Sequence, residues 1–366
     1  MILRSISLLI LILLVMAAAG CQQETPLHEA ETRPIPAHAA LFPENNQLIE
    51  GTTQIAEYRV VRLKCWYAQD DVLAPLIAIR SFHCGRQEYL LTVDFNTLHT
   101  QIIKAEYLRT EPCAFGDFAK TSFGQLLSTA TTPPFPLQND GLQALSKVSR
   151  YPVLTVDLCP TPKSFERELF EKLIACPLPH PIPVTVCISG LWIKHHPAEL
   201  QWLKQMVYER KLDITWANHS FHHHVQEHAP LQSNFLLMPH TDLNQEILEL
   251  EKSLIEHGIT PSVFFRFPGL VSDQHLVEML CEYSLVPIGS NAWLAKGQSA
   301  QPGSLLLVHG NGNEPLGVRK FLALLNSSSL SGLESLPEAA SQEFKTDGLA
   351  QNYSGESTPS TIAHRP

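Results

Sequence analysis

Five short stretches of this 366-residue chain run into polar side chains, three of them into groups able to bind a metal or move a proton. Asp157 closes 151–157, and Arg266 follows 262–265. Asn291 with Trp293 follows 285–288, and His309 follows 305–308. His219 and His223 come just after 213–217. In parallel α/β folds catalytic groups collect where strands stop, at their C-terminal ends. If the chain is helical from His219, the two imidazoles at i and i+4 lie on one face and can share a metal ion. Each residue also has an ordinary reading: Asp157 as a helix cap, Arg266 as a turn anchor, His309 as a core histidine. The histidine pair could likewise be an exposed His-rich turn, with His222, His224 and His228 nearby. Their arrival at successive strand ends makes a shared site the better explanation.

The elements that must position these groups alternate between strand and helix. Strand patterns cover 151–157, 182–188, 213–217, 262–265, 285–288 and 305–308. Helical patterns cover 164–173, 198–209, 243–256, 273–282 and 316–325; Leu243, Ile247, Leu250 and Leu254 mark one face of the third. Such alternation predicts a parallel sheet, open or closed into a barrel. Upstream, 58–63, 76–79 and 89–93 read as strands of a small β-rich domain. The expected organisation is a signal peptide at 1–20, a tether at 21–50 and a β-rich domain of unassigned role at 51–128. A linker at 129–149, the α/β domain at 150–326 and a disordered tail at 327–366 follow.

Residues 151–326, about half the chain, resemble the polysaccharide deacetylase family. Thr155-Val156-Asp157-Leu158-Cys159-Pro160 is similar to its first motif, Thr-Phe-Asp-Asp-Gly-Pro. Asn218-His219-Ser220-Phe221-His222-His223 matches its Asn-His-Thr/Ser-x-x-His metal motif. Phe265-Arg266-Phe267-Pro268-Gly269 resembles the third motif, and Leu306-Leu307-Val308-His309 the fifth. The resemblance implies a distorted (β/α) barrel of seven strands that removes N-acetyl groups from a glycan. It implies a divalent metal, usually zinc, on His219 and His223, with Asp157 as base and Arg266 orienting it. It further implies His309 as acid and an oxyanion donor in the backbone near Gly269.

Two departures stand out. The family's second Asp of the first motif is Leu158 here, which coordinates nothing, so Asp157, Cys159 and His222 each become candidates for a third ligand. The fourth motif, usually acidic before Trp, reads Ser290-Asn291-Ala292-Trp293. Leu158 also opens an alternative in which the chain binds glycan without catalysis, having lost the metal. A hydrolase acting on another small amide or ester is a third reading.

Composition sets the outer limits. With 26 Lys+Arg against 36 Asp+Glu the net charge is −10, and no basic block suits nucleic acid. Arg4, the apolar run 8–19 and Ala18-Ala19-Gly20-Cys21 resemble a bacterial lipoprotein signal. The implied product is lipid-anchored through Cys21 and faces the periplasm, with the outer membrane favoured over the inner. Its expected partners are an N-acetylated polysaccharide and the membrane. Seven other cysteines allow one disulfide among Cys65, Cys84 and Cys113, while Cys187 reads as a small buried hydrophobe.

Overall fold

The computed structural model describes residues 55–69, 72–145, 149–327 and 330–344. The expected signal, the Cys21 anchor and the tether lie outside them. Among the described residues no helix is long and apolar enough to cross a membrane.

Five antiparallel strands come first: β1 (Ile55–Tyr67), β2 (Val72–Cys84), β3 (Gln87–Asp94), β4 (Thr100–Lys104) and β5 (Leu108–Pro112), in the order β4-β3-β2-β1-β5. A parallel sheet of seven follows, as expected for the fold class. It holds β6 (Val153–Leu158), β7 (Ile182–Ile188), β8 (Leu212–Asn218), β9 (Phe264–Phe265), β10 (Val286–Pro287), β11 (Ala292–Trp293) and β12 (Leu305–His309). Their order is β10-β9-β8-β7-β6-β12-β11, which curls into a half-barrel.

Period-two alternation sorts the two faces of this sheet. Leu154, Val156 and Leu158 of β6 join Val184, Val186, Leu306 and Val308 in the cluster under the outer helices. Val153, Cys187, Ala217 and Leu305 belong to a second cluster on the inner face. The outer helices start at side-chain caps. Asp242 accepts from the Gln245 amide at the head of Leu243–Glu256, and Asp273 from the Leu276 amide at the head of Gln274–Glu282.

The inner-face cluster extends beyond the parallel sheet. It takes in Phe123, Leu126 and Leu127 of α1 (Ser122–Ala130), Ile77 and Ile79 of β2, and Leu336, Ala339 and Ala340. Those last three lie on a helix, Leu336–Glu343, within the segment expected to be a disordered tail. Its apolar positions at i, i+3 and i+4 are flanked by Ser, Glu and Gln, and that polar background masked a one-sided helix. The expected linker is packed as well. Leu142 and Leu145 are buried, and the Leu142 and Leu145 amides donate to the carbonyls of Pro287 and Gly303. The anticipated disulfide is not formed at Cys65 or Cys113, which are thiols.

Candidate active site

The alternation that buries Leu158 under the helices turns Thr155, Asp157 and Cys159 toward the other face. Asp157 stands opposite Cys187 of β7 and His309 of β12 in the parallel register. Those three neighbouring strands therefore deliver a carboxylate, a thiol and an imidazole to one patch.

His219 and His223 reach the same patch by a route other than the expected helix. The chain after β8 forms bends, with Ser220 at φ 62° and His223 at φ 49°. The Asn218 side chain holds the turn by accepting from the Ser220 amide and donating to the Ile247 carbonyl. The two imidazole centroids end 4.6 Å apart. His219 Nδ1 sits 2.8 Å from the Arg266 carbonyl, to which it donates, leaving the Nε2 lone pair facing inward.

Arg266 lies beneath the site, wholly buried. Its Nη2 donates to Thr155 Oγ1 at 3.0 Å, and its Nη1 is 3.7 Å from Asp157 Oδ2. Asp157 Oδ1 is buried without a hydrogen-bond partner. His309 Nδ1 lies 2.8 Å from Glu314 Oε2, and the Trp293 indole N–H donates to that same oxygen at 2.8 Å. Glu314, on the loop after β12, thus ties His309 to Trp293 through one carboxylate oxygen.

These groups open on a cavity of about 250 Å³ lined by Asp157, Cys159, His219, His223, His309 and Gly269, with Phe235, Leu270 and Trp293 among its apolar walls. Gly269 has φ 63°, and a Cβ there would stand 2.5 Å from the Phe235 ring, so only glycine fits. Lys296 Nζ caps the Trp293 ring at 3.5 Å from its centroid.

Cys159 Sγ is 3.5 Å from His219 Nε2. Cys159, His219 and His223 each offer a donor atom, and the three lie within 4.8 Å of one another. His223 Nε2 is buried with no hydrogen-bond partner. A buried unpartnered imidazole nitrogen beside a thiol and a second imidazole is a donor set that fits a divalent ion of the zinc type. Burial works against ionisation of the Cys159 thiol, but its interactions with the neighbouring His223 and His219 outweigh it and hold the group well below the ordinary thiol range. Burial likewise opposes charge on His309, yet Cys159 and Glu314 overcome it and push that imidazole well above its usual value. For Cys187, burial and then the adjacent Asp157 carboxylate push the thiol well up.

The structure therefore brings together Asp157, His219, His223, Arg266, His309 and Gly269. Asn291 instead accepts from the Leu305 amide and serves the sheet. His222 turns away, with Nδ1 2.9 Å from Glu246 Oε1. Thr155, Cys187 and Glu314 were missed by reading strand ends alone. The first two could have been found by following alternation along β6 and register into β7; Glu314 carries no such signal.

No family model matches the chain. Among solved structures it is similar to a family 4 carbohydrate esterase from Bacillus anthracis, with 18% identity, a TM-score of 0.40, and 58% of this chain and 89% of that one covered. It is similar also to a family 4 carbohydrate esterase from Streptomyces lividans in complex with acetate (17%, TM-score 0.36, 51% and 93%). A third is a pseudoenzyme of the same family from Bacillus anthracis (12%, TM-score 0.39, 77% and 90%).

Proposed function

We propose that this chain is a metal-assisted hydrolase that removes N-acetyl groups from a cell-envelope polysaccharide. The observation that carries the reading is the placement of Asp157 and His309, register partners on β6 and β12, on the wall of the cavity that holds His219 and His223. A base and an acid on adjacent strands can serve the two proton transfers that amide hydrolysis requires.

His219 and His223 would hold the ion. When bound, a divalent metal supplies Lewis acidity toward an amide oxygen and a more acidic water. The remaining work falls to the chain's own groups. Asp157 keeps Oδ2 toward Arg266 and has Oδ1 available to accept a proton from water. His309, with Nδ1 beside Glu314 Oε2, would serve as the proton donor to a departing amine. The Gly269 backbone, free of any side chain, can come close to a developing oxyanion. Trp293 offers a ring against which a sugar face can stack.

Acetate release from N-acetylglucosamine oligomers by the zinc-loaded chain tests this reading. His219→Ala should abolish release and Asp157→Asn should lower it by orders of magnitude. An undiminished rate in Asp157→Asn removes that residue as the base; no acetate from metal-loaded protein on any N-acetylated glycan removes the reading. Attachment at the envelope through Cys21 belongs to the same proposal, and loss of lipid labelling in Cys21→Ser tests it.

A further inference from the structure

We infer that Cys159 is the third protein ligand of this metal site, making it a thiolate–bis-imidazole centre selective for zinc-like ions over magnesium, calcium or manganese. The inference rests on the proposed reading for the presence of a metal and adds the identity of its anionic ligand.

Three side chains compete for that place, and geometry separates them. His222 is committed to Glu246 through both its ring and its backbone amide, which donates to Oε2 at 2.9 Å. Asp157 Oδ2 stands 3.9 Å from His219 Nε2 and is turned toward Arg266. Cys159 Sγ lies nearer, 3.5 Å from His219 Nε2, and closes the triangle with His223. The backbone explains the substitution. Leu158 is spent on the outer core, where its Cδ2 reaches within 3.0 Å of where a Cβ on Gly310 would lie. The next inward-facing position is 159, and a Cys there supplies one negative charge, as a carboxylate would. Asn311 Nδ2 donates to the Cys159 carbonyl at 2.9 Å and fixes the residue's backbone just beyond the strand.

The donor set has a consequence for selectivity. Thiolate and imidazole favour zinc and cobalt, whereas the hard oxygen-seeking ions gain little from sulfur. A thiolate in place of a carboxylate also leaves Asp157 uncommitted.

Cobalt(II) substitution reads the ligand without reference to activity. The purified full chain loaded with Co²⁺ should show an intense near-ultraviolet sulfur-to-cobalt charge-transfer band. Cys159→Ser should lose it. Cys159→Asp should retain cobalt and its weaker visible bands without charge transfer. Zinc affinity in Cys159→Ser should fall by more than the roughly 10–100-fold that loss of an outer partner costs. Should these variants fail to fold, zinc in the unsubstituted chain should still protect Cys159 from iodoacetamide, read by peptide mass. A visible cobalt spectrum lacking charge transfer, a band that persists in Cys159→Ser, or Cys159 alkylated equally with and without zinc would overturn the assignment. Charge transfer without acetate release leaves the ligand standing and removes the deacetylase reading; acetate release without charge transfer does the opposite.

Discussion

Arg80 and Glu251 form a two-pronged ion pair between the antiparallel sheet and the helix Leu243–Glu256. Arg80 Nε donates to Oε2 at 2.7 Å and Nη2 to Oε1 at 2.9 Å, with side-chain exposures of 0% and 1%. Tyr58 also donates to Glu251 Oε2, at 2.8 Å, and Arg80 Nη1 donates to the Tyr283 carbonyl at 2.7 Å. Burial pushes the Tyr58 hydroxyl well above its usual range, with the Glu251 charge adding to the rise. A buried pair loses most when one partner is removed and the other is left uncompensated. Glu251→Leu should therefore cost about 3–5 kcal/mol in urea unfolding. Arg80→Met with Glu251→Leu should recover a substantial part, and a double variant no more stable than the single one would contradict this.

Placing an acid at position 158 should fail to build a ligand. Leu158 is wholly buried among Leu154, Val156 and Phe170 on the helix side of the sheet. Leu158→Asp should lower stability by at least about 3 kcal/mol, since it removes a packed leucine and buries an unpaired carboxyl. The denaturation midpoint measures this, and a stable Leu158→Asp protein with tighter zinc would contradict it.

Glu314 should matter to turnover through His309. His309→Ala should lower kcat by about 10²–10⁴-fold, the range for a positioned acid. Glu314→Gln should lower kcat by less and leave zinc stoichiometry unchanged, because its carboxylate touches His309 and Trp293 rather than the metal donors. Acetate-release kinetics alongside metal analysis would separate the two effects.

Cys65 should behave as an inert thiol. Burial pushes it up to about 12, against which the Ala78 backbone hydrogen bond works in the other direction. The folded state thus holds a proton that the unfolded chain releases near pH 8.5. The stability this contributes is complete below about pH 8.5 and is lost as the pH climbs toward the folded value. Urea unfolding from pH 8 to 11 should fall more steeply for the parent than for Cys65→Ala, and native Cys65 should resist alkylation at pH 8. Equal slopes would remove this account.

Much of the architecture was legible because apolar alternation and helical periodicity change along the chain where the structure does. The helix Leu243–Glu256 falls on its expected bounds, and the strands at 182–188 and 305–308 differ from expectation by one residue at most. Ala292–Trp293 was invisible as a strand because two residues carry no period. His219 and His223 were expected to meet through helical spacing and instead meet through a turn with two positive φ values. That conformation is set by Asn218 hydrogen bonds and has no local period. Glu314 was hidden for a related reason, since its meeting with His309 is tertiary. The Leu336–Glu343 helix was lost to composition: three apolar residues among polar ones look like tail until something is there to cover them.

Leu336→Asp should accordingly destabilise the whole protein rather than loosen one end. Its side chain is fully buried in the cluster that holds Val153 and Leu305 of the parallel sheet. Leu336→Ala should cost about 2–5 kcal/mol, measured as a single cooperative transition. A second, early transition confined to this helix would contradict it.

That helix also bears on how the protein reaches its native state. The inner face of the parallel sheet is sealed by α1, made before any of its strands, and by Leu336–Glu343, made after all of them. During synthesis the seven strands therefore emerge with their inner face incompletely covered, and completion joins residues far apart along the chain. Such late, long-range closure slows folding and lengthens the exposure of unpaired apolar surface. The emerging chain would be most open to capture by a chaperone between completion of β12 and release of residue 343.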